Sequence, residues 1–365
     1  MEKSKIGTVE AIMLILTVVV THCILSLPND ILTKYKSASV LNVIYVGLIA
    51  IILSLLIFKL FKKFPGMDIL DISEVVAGKI FKNILGIIFI SYFIITSSFM
   101  LRNFCESIKI IYYPMTNITF LIGFFVIAVC IANGLGFNAT LKTNRIILPF
   151  ALVSIVFLFL TNINNFQPQR IFPILGDGFV NTFILGTTNL ASFGGIVYLY
   201  FLPPLLKEPD KFKKIAVTST FATVIYLIFT VATLLFMFSF FLSINEISPL
   251  YNATRYIEFG TFFQRLESVF LLIWILAFAC YLSITFKMST HIFQKVTSLS
   301  NSKPLIPILG LLVFVLALLP ENLAVSQFFE DKLYNFFVIF MVFILGIGIL
   351  AFANIFNKSI NSCKK

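Results

Sequence analysis

The sequence predicts an all-α integral membrane protein of ten transmembrane helices, arranged as two sets of five with inverted topology. Composition is the first reason. The 365 residues are 59% hydrophobic and 12% charged, with 44 Phe and a mean hydropathy of +1.02. A soluble domain carries about 25% charged residues, so this much apolar surface needs a bilayer as its solvent. Segment length is the second reason: a crossing takes roughly 20 apolar residues, and the chain divides into ten such stretches. The third is a pair of interruptions at corresponding places in spans one and six.

In chain order the spans are Thr8–Ile31, Ser39–Phe61, Lys82–Leu101, Asn117–Ala132, Arg145–Thr161, Asn181–Leu202, Ile215–Ser243, Glu267–Phe293, Leu305–Leu319 and Leu333–Phe356. The first is long and lacks the small-residue cleavage site of a secretory signal, so it is expected to remain in the mature protein. Connections are short, among the longest being Thr161–Asn181. Residues 1–365 are therefore expected to form a single transmembrane domain, with helices 1–5 over about 8–161 and helices 6–10 over about 181–356.

Lys and Arg are retained on the cytoplasmic side of a membrane. With the N-terminus inside, only Lys34, Lys36, Arg102, Lys109, Arg170, Arg255, Arg265 and Lys332 of the 27 basic residues fall outside. Both termini are thus predicted to be cytoplasmic. The same asymmetry accounts for most of the net charge of +11. Basic residues spread thinly between apolar blocks do not make a nucleic-acid surface, so no nucleic acid is expected as a partner; the lipid bilayer is.

Transporters built from inverted repeats hold substrate near mid-membrane, where the first helix of each half loses regular backbone hydrogen bonding. Span one carries Thr21 and His22 near its middle, with Pro28 behind them. Span six places Gly194 and Gly195 near its centre. Taken singly these residues have plainer roles. Glycine lets membrane helices approach closely, and a threonine hydroxyl bonds back to its own helix. Interruptions at matching positions in both halves favour a binding site over packing alone.

Chemistry-bearing residues are few. His22 is the histidine deepest in a span, read as a hydrogen-bonded neutral imidazole ahead of a proton carrier. Arg102 and Glu106, and Arg265 and Glu267, read as boundary anchors or ion pairs. Lys287 and His291 sit near the inner end of span eight, where snorkelling suffices. No proton relay or acidic cation site emerges, which weighs against an energised pump. Five scattered cysteines read as small apolar packers. With no phosphate-binding glycine loop, no zinc-protease signature and two His, no enzymatic activity, cofactor or metal is expected.

One stretch goes beyond composition: RYIEFGTFFQRLESVFLLIWI, from Arg255 to Ile275. It resembles the hallmark segment of the GerAB-type spore germination permeases, the B subunits of nutrient germinant receptors. Arg255, Ile257, Gly260, Phe262, Arg265, Glu267 and Trp274 match the pattern, while Gln264 stands where Glu is usual. Further similar segments are the Pro28 block, Tyr113–Thr116, Asn165–Pro168 and Leu318–Glu321.

The resemblance implies a place in the amino acid–polyamine–organocation transporter superfamily and a LeuT-like fold with broken helices 1 and 6. It also implies the spore inner membrane, an A subunit and a lipoprotein C subunit as partners, and a small nutrient, typically an amino acid, as the signal for germination. The family's pocket lies between spans one, three, six and eight. The matching positions here are Thr21, Tyr92, Thr96, Phe193, Gly194, Tyr281 and Thr285, with His22 and Gly195 beside them. Unwound backbone around Thr21 and Gly194–Gly195 would then hold the ligand's carboxylate and ammonium. Tyr92 would close the carboxylate side; Thr96, Phe193 and Tyr281 would shape the side-chain pocket, and Thr285 would add a polar contact. Ordinary helix packing is the competing role for each. Family members often carry a Glu near the span-six break, and Ser192–Tyr200 has none. Two other functions fit the same chain: a working amino acid permease, and a scaffold subunit that binds no nutrient.

Overall fold

The computed structural model describes residues 5–238, 249–257, 266–299, 301 and 303–356. Helix α1 (Thr8–Ile24) opens with the Glu10 carboxylate accepting the Gly7 N–H at 2.8 Å. An acid there also complements the positive end of the helix dipole. The helix stops at Leu25 (φ −92°, ψ −107°), whose N–H turns back to the His22 carbonyl at 3.2 Å. Helix α2 (Leu27–Tyr35) then starts afresh with Pro28 in its first turn. Proline has no N–H, and its ring crowds the carbonyl four residues earlier, here Ile24, so a regular helix does not run through. The interruption therefore falls at Leu25–Ser26, a turn beyond the Thr21–His22 pair on which the sequence pattern centres it.

Helix α3 (Ser39–Phe61) follows, then α4 (Ile69–Tyr112). Asp68 caps α4 by accepting the N–H groups of Leu70 and Asp71 at 3.1 and 3.0 Å. Gly78 (φ 86°, ψ 177°) bends the chain between a short first segment and the long apolar run. That positive φ is one that glycine adopts without a Cβ penalty.

The remaining helices are α5 (Ile118–Leu135), α6 (Phe137–Thr161), α7 (Val180–Tyr200), α8 (Phe212–Met237), α9 (Pro249–Arg255), α10 (Glu267–Thr297), α11 (Leu305–Leu318) and α12 (Leu323–Ile355). Two are irregular. Helix α7 begins with a wide π turn over Val180–Ile184 and continues with tight 3₁₀ winding, Phe193 leaving helical torsions altogether (φ −96°, ψ 28°). Helix α12 widens to π geometry over Glu330–Tyr334 and again over Ile339–Gly346.

Among the described residues, eight apolar helical runs are long enough to cross a membrane, α2 and α3 counting as one run, and α1 and α11 are shorter apolar helices. Several boundaries differ from expectation: α4 runs Ile69–Tyr112 rather than Lys82–Leu101, and two further differences bear on the site or have a plain cause. Helix α6 starts at Phe137 rather than Arg145, because Lys142 and Arg145 point outward while the helix continues beneath them. Helix α12 starts at Leu323 rather than Leu333, which brings Glu330 inside it.

Helix α1 lies at the centre, packed by α6, α7, α8 and α10. The peripheral helices turn Leu48, Ile52, Phe120, Phe124, Ile308 and Leu311 outward, apolar surface suited to hydrocarbon. At one end Ile6 pairs with the Leu205–Lys207 backbone (2.7 and 2.9 Å) and Asn354 donates to the Leu60 carbonyl at 3.0 Å. At the other end Lys36 pairs with Asp177 at 2.7 Å, and Arg170 donates to the Phe236 carbonyl at 3.1 Å. Loops that the basic-residue pattern assigns to one side thus meet each other.

Candidate functional site

The α1–α2 interruption opens into a small cleft of about 30 Å³ running along α2, lined by His22, Ser26, Asp30, Asn189, Glu330 and Tyr334 among others. His22 stands in the last turn of α1, where the helix is wholly buried. Its ring packs edge-on to Tyr281 (centroids 5.9 Å apart) and tilts over Tyr334 at 4.4 Å. Its Nδ1 faces the Glu330 carboxylate at 3.6 Å, and its Nε2 is buried without a hydrogen-bond partner.

Glu330 reaches this position because Ser326, Glu330, Tyr334 and Val338 recur at four-residue spacing along α12, and all four are buried. The Asn103 side-chain amide on α4 donates to the Glu330 carboxylate. Beside Asn103 on α4, Arg102 and Glu106 form a buried ion pair at 2.8 Å. Arg102 also donates to the carbonyls of Ala317, in the last turn of α11, and Glu321, just beyond it, at 3.5 and 3.3 Å. The sequence shows no proton relay or acidic cation site within the spans; the fold buries one acid, Glu330, inside α12. Three successive charged residues, Glu330-Asp331-Lys332, read as a span boundary in sequence, which hides their helical context. The four-residue spacing with Tyr334 is the signal that discloses it.

Four of the expected pocket residues gather round Tyr334, which no sequence pattern singles out. His22 stacks on its ring, and a Cβ on Gly194 would overlap its hydroxyl. Tyr281 and Tyr334 each lie within electrostatic reach of Tyr92, Tyr198 and Glu330. Tyr92 also meets Phe93 at 5.1 Å and Phe337 at 6.5 Å.

The other expected residues are occupied locally. Thr21 is helical, its hydroxyl bonded to the Thr17 and Val18 carbonyls at 2.9 and 2.8 Å. Thr96 bonds back to Tyr92 at 2.8 Å. Thr285 donates to the Tyr281 carbonyl at 2.9 Å, and having spent its one proton it accepts from Tyr198 at 2.9 Å. Phe193 is buried at the point where α7 leaves helical torsions. A Cβ on Gly195 would lie 2.7 Å from the Ile15 carbonyl, so that glycine lets α7 close on α1. Of the nine expected ligand residues, His22 alone lines the cleft.

The resemblance residues sit elsewhere. Arg255 ends α9, Glu267 opens α10, and Trp274 is buried against Phe270 at 5.9 Å. Gly260 and Arg265 lie outside the described residues. Cys23, Cys105 and Cys280 are buried thiols, Cys130 is partly buried, and Cys363 lies outside the described residues.

Residues 5–325 match the family described as "Spore germination protein". The chain belongs to that family. Among its relatives in Bacillus subtilis (strain 168), "Spore germination protein YndE" is 25% identical over 329 residues, covering 87% of this chain and 88% of that one. "Spore germination protein A2" is 23% identical over 355 residues, covering 92% of each. "Spore germination protein GerQB" of Bacillus cereus is 23% identical over 259 residues, covering 70% of each. Two solved structures share the fold. One is a Na+-coupled sialic acid symporter in a substrate-bound outward-open state (TM-score 0.66, 13% identity, 93% of this chain and 80% of that one). The other is MHP1, a nucleobase-cation-symport-1 family transporter (TM-score 0.61, 11% identity, 93% and 79%). This member of the spore germination family is therefore an integral membrane protein of permease type with the fold of membrane transporters.

Proposed function

We propose that the chain is the nutrient-sensing membrane subunit of a spore germinant receptor, binding an amino acid where α1 and α7 leave regular helical bonding. In this reading α1 and α2 make one broken crossing and α7 the corresponding one. Ten crossings then form a single transmembrane domain, a LeuT-like pair of inverted five-helix halves. The protein stands in the spore inner membrane with both termini cytoplasmic, beside an A subunit and a lipoprotein C subunit.

The cleft at the α1 interruption carries this reading, because it brings buried polar groups to the place where a transporter-type fold would hold a small solute. Ser26 and Leu27, at the start of α2, line it, so the positive end of a short helix faces the ligand. Nutrient binding would bias the receptor by its difference in affinity between two conformations, since a ligand shifts an equilibrium by no more than that difference.

Gly194→Leu in the intact receptor tests it. The expected result is loss of the nutrient dose response in spores, with the A and C subunits still co-purifying. An unchanged dose response at normal expression would overturn the assignment.

A second reading is a working amino acid permease, and the buried Glu330 favours it, since intramembrane acids commonly mark ion or proton pathways. Uptake of radiolabelled amino acid into proteoliposomes decides between the two. Concentrative uptake establishes the permease. Binding without uptake leaves the sensor, and neither binding nor uptake leaves a scaffold subunit.

A further inference from the structure

We infer that the cleft takes a ligand bearing a protonated amine, with the Glu330 carboxylate as its counter-ion. The inference rests on the reading of the cleft as the ligand site, and it assigns the ammonium to a side chain on α12. The family resemblance instead assigns that group to unwound backbone in α1 and α7.

Charge points first to a cation. Glu330 and Asp30 both line the cleft, against Lys34 towards its mouth. The nearby Arg102 is held by Glu106 and by the carbonyls of Ala317 and Glu321. The Asn103 amide fixes the Glu330 side chain, which keeps the carboxylate aimed in one direction.

The walls point to an organic cation. Tyr334 and Tyr35 both line the cleft, and tyrosine faces attract ammonium groups through the ring quadrupole. A small alkali ion prefers an oxygen cage, whereas Leu27, Ile31 and the two tyrosines give this cleft a partly apolar and aromatic wall. His22 supplies an independent observation. It is only 4% exposed, it lines the cleft, and its Nε2 has no hydrogen-bond partner. A buried polar atom left unpaired is costly; with Nδ1 turned to the Glu330 carboxylate the neutral ring carries its proton there, Nε2 is an acceptor, and an amine N–H on the ligand would satisfy it together with Glu330.

The experiment uses the purified full chain in lipid nanodiscs and reads the thermal unfolding midpoint. The probes are propylammonium chloride, L-alanine, sodium propionate, sodium chloride, glucose and inosine at equal concentration. Propylammonium chloride is expected to raise the midpoint well beyond sodium chloride. That rise should disappear in Glu330→Gln and persist in Asp177→Asn, whose carboxylate pairs with Lys36 on the surface. An equal rise in Glu330→Gln, or an equal effect of sodium chloride, overturns the inference.

Carbodiimide modification of wild-type Glu330, with the carbodiimide adduct and any propylamide formed from the probe counted together by mass spectrometry, gives a second test that needs no folded variant. Protection by propylammonium supports the assignment, and unchanged labelling overturns it. A midpoint raised by glucose or inosine but by no amine would leave the nutrient sensor standing and remove the amine. Silence across the whole panel would remove both.

Discussion

The hydroxyl of Tyr334 on α12 occupies the space where Gly194 on α7 would carry a Cβ, and the same tyrosine ring stacks on His22 of α1. Three helices that leave regular geometry close to one another are thereby packed through one side chain. A shift of α7 at Phe193–Gly194 moves Tyr334, and with it the wall of the cleft. Under the proposed function, this contact would couple binding at the α1 interruption to the conformation of α7.

Close approach also governs the next residue. A methyl group on Gly195 would press on the Ile15 carbonyl, which is backbone and has no rotamer to yield. Gly195→Ala is expected to destabilise the protein by about 1–3 kcal/mol, the usual penalty for overpacking. Gly348 has a helical backbone and open space within 4 Å of the point where a methyl would stand, so it should instead gain up to about 1 kcal/mol as Ala. Thermal unfolding in the same lipid environment reads both, and shifts of the same sign would contradict the packing.

Asn103 is the amide donor that holds Glu330. Asn103→Leu removes a hydrogen bond to a buried carboxylate, and the expected loss is about 1.5–3 kcal/mol. The paired variant Asn103→Leu with Glu330→Leu should recover part of that loss, since neither partner then remains unsatisfied. A double-mutant cycle measures it; additive losses would show that the two residues do not interact.

Arg102 neutralises Glu106 and closes the end of α11. Arg102→Met strands a carboxylate in the interior, with an expected loss of about 3–5 kcal/mol. Arg102→Lys should restore the ion pair but not both carbonyl contacts, because an ammonium lacks the guanidinium fork. An unfolding midpoint for Arg102→Lys equal to wild type would show that the carbonyl contacts contribute nothing.

At the opposite end Lys295 of α10 reaches Asp71 at 2.7 Å and also pairs with the fully buried Asp68, the cap of α4. Lys295→Met leaves two acids side by side, and about 3 kcal/mol is expected to be lost. Lys82 pairs with a more exposed acid, Glu74, at 2.6 Å. Lys82→Met should therefore lose less than about 1 kcal/mol. Comparable losses in the two variants would place both pairs in the same environment and refute the difference in burial.

Much of the fold is legible in the sequence because a bilayer imposes a length on every crossing and excludes charge from it. Apolar runs, basic loops and Pro28 are each local features, and each survives unchanged in the folded chain. Legibility ends where a charge lies inside a helix. Glu330 carries the same sequence signature as a span boundary, and only its partners Asn103 and His22 reveal a helix interior. Thr21 and Thr285 are candidates for ligand contacts by sequence, yet in the fold their hydroxyls bond neighbouring groups. A hydroxyl in sequence does not disclose whether its partner is a carbonyl one turn back.

By itself, then, the sequence determined the solvent, the helical class, the family signature and the place of the α1 interruption to within a turn. The solvent and the helical class follow from local composition, the family signature from the one motif at Arg255–Ile275, and the interruption from proline's missing N–H. Tertiary structure alone decided that Tyr334 fills the space over Gly194 and that Glu330 faces His22. Those pairings join α12 to α7 and α1, helices far apart along the chain. Nothing in the periodicity of one helix records which side chain of another will fill the space beside it.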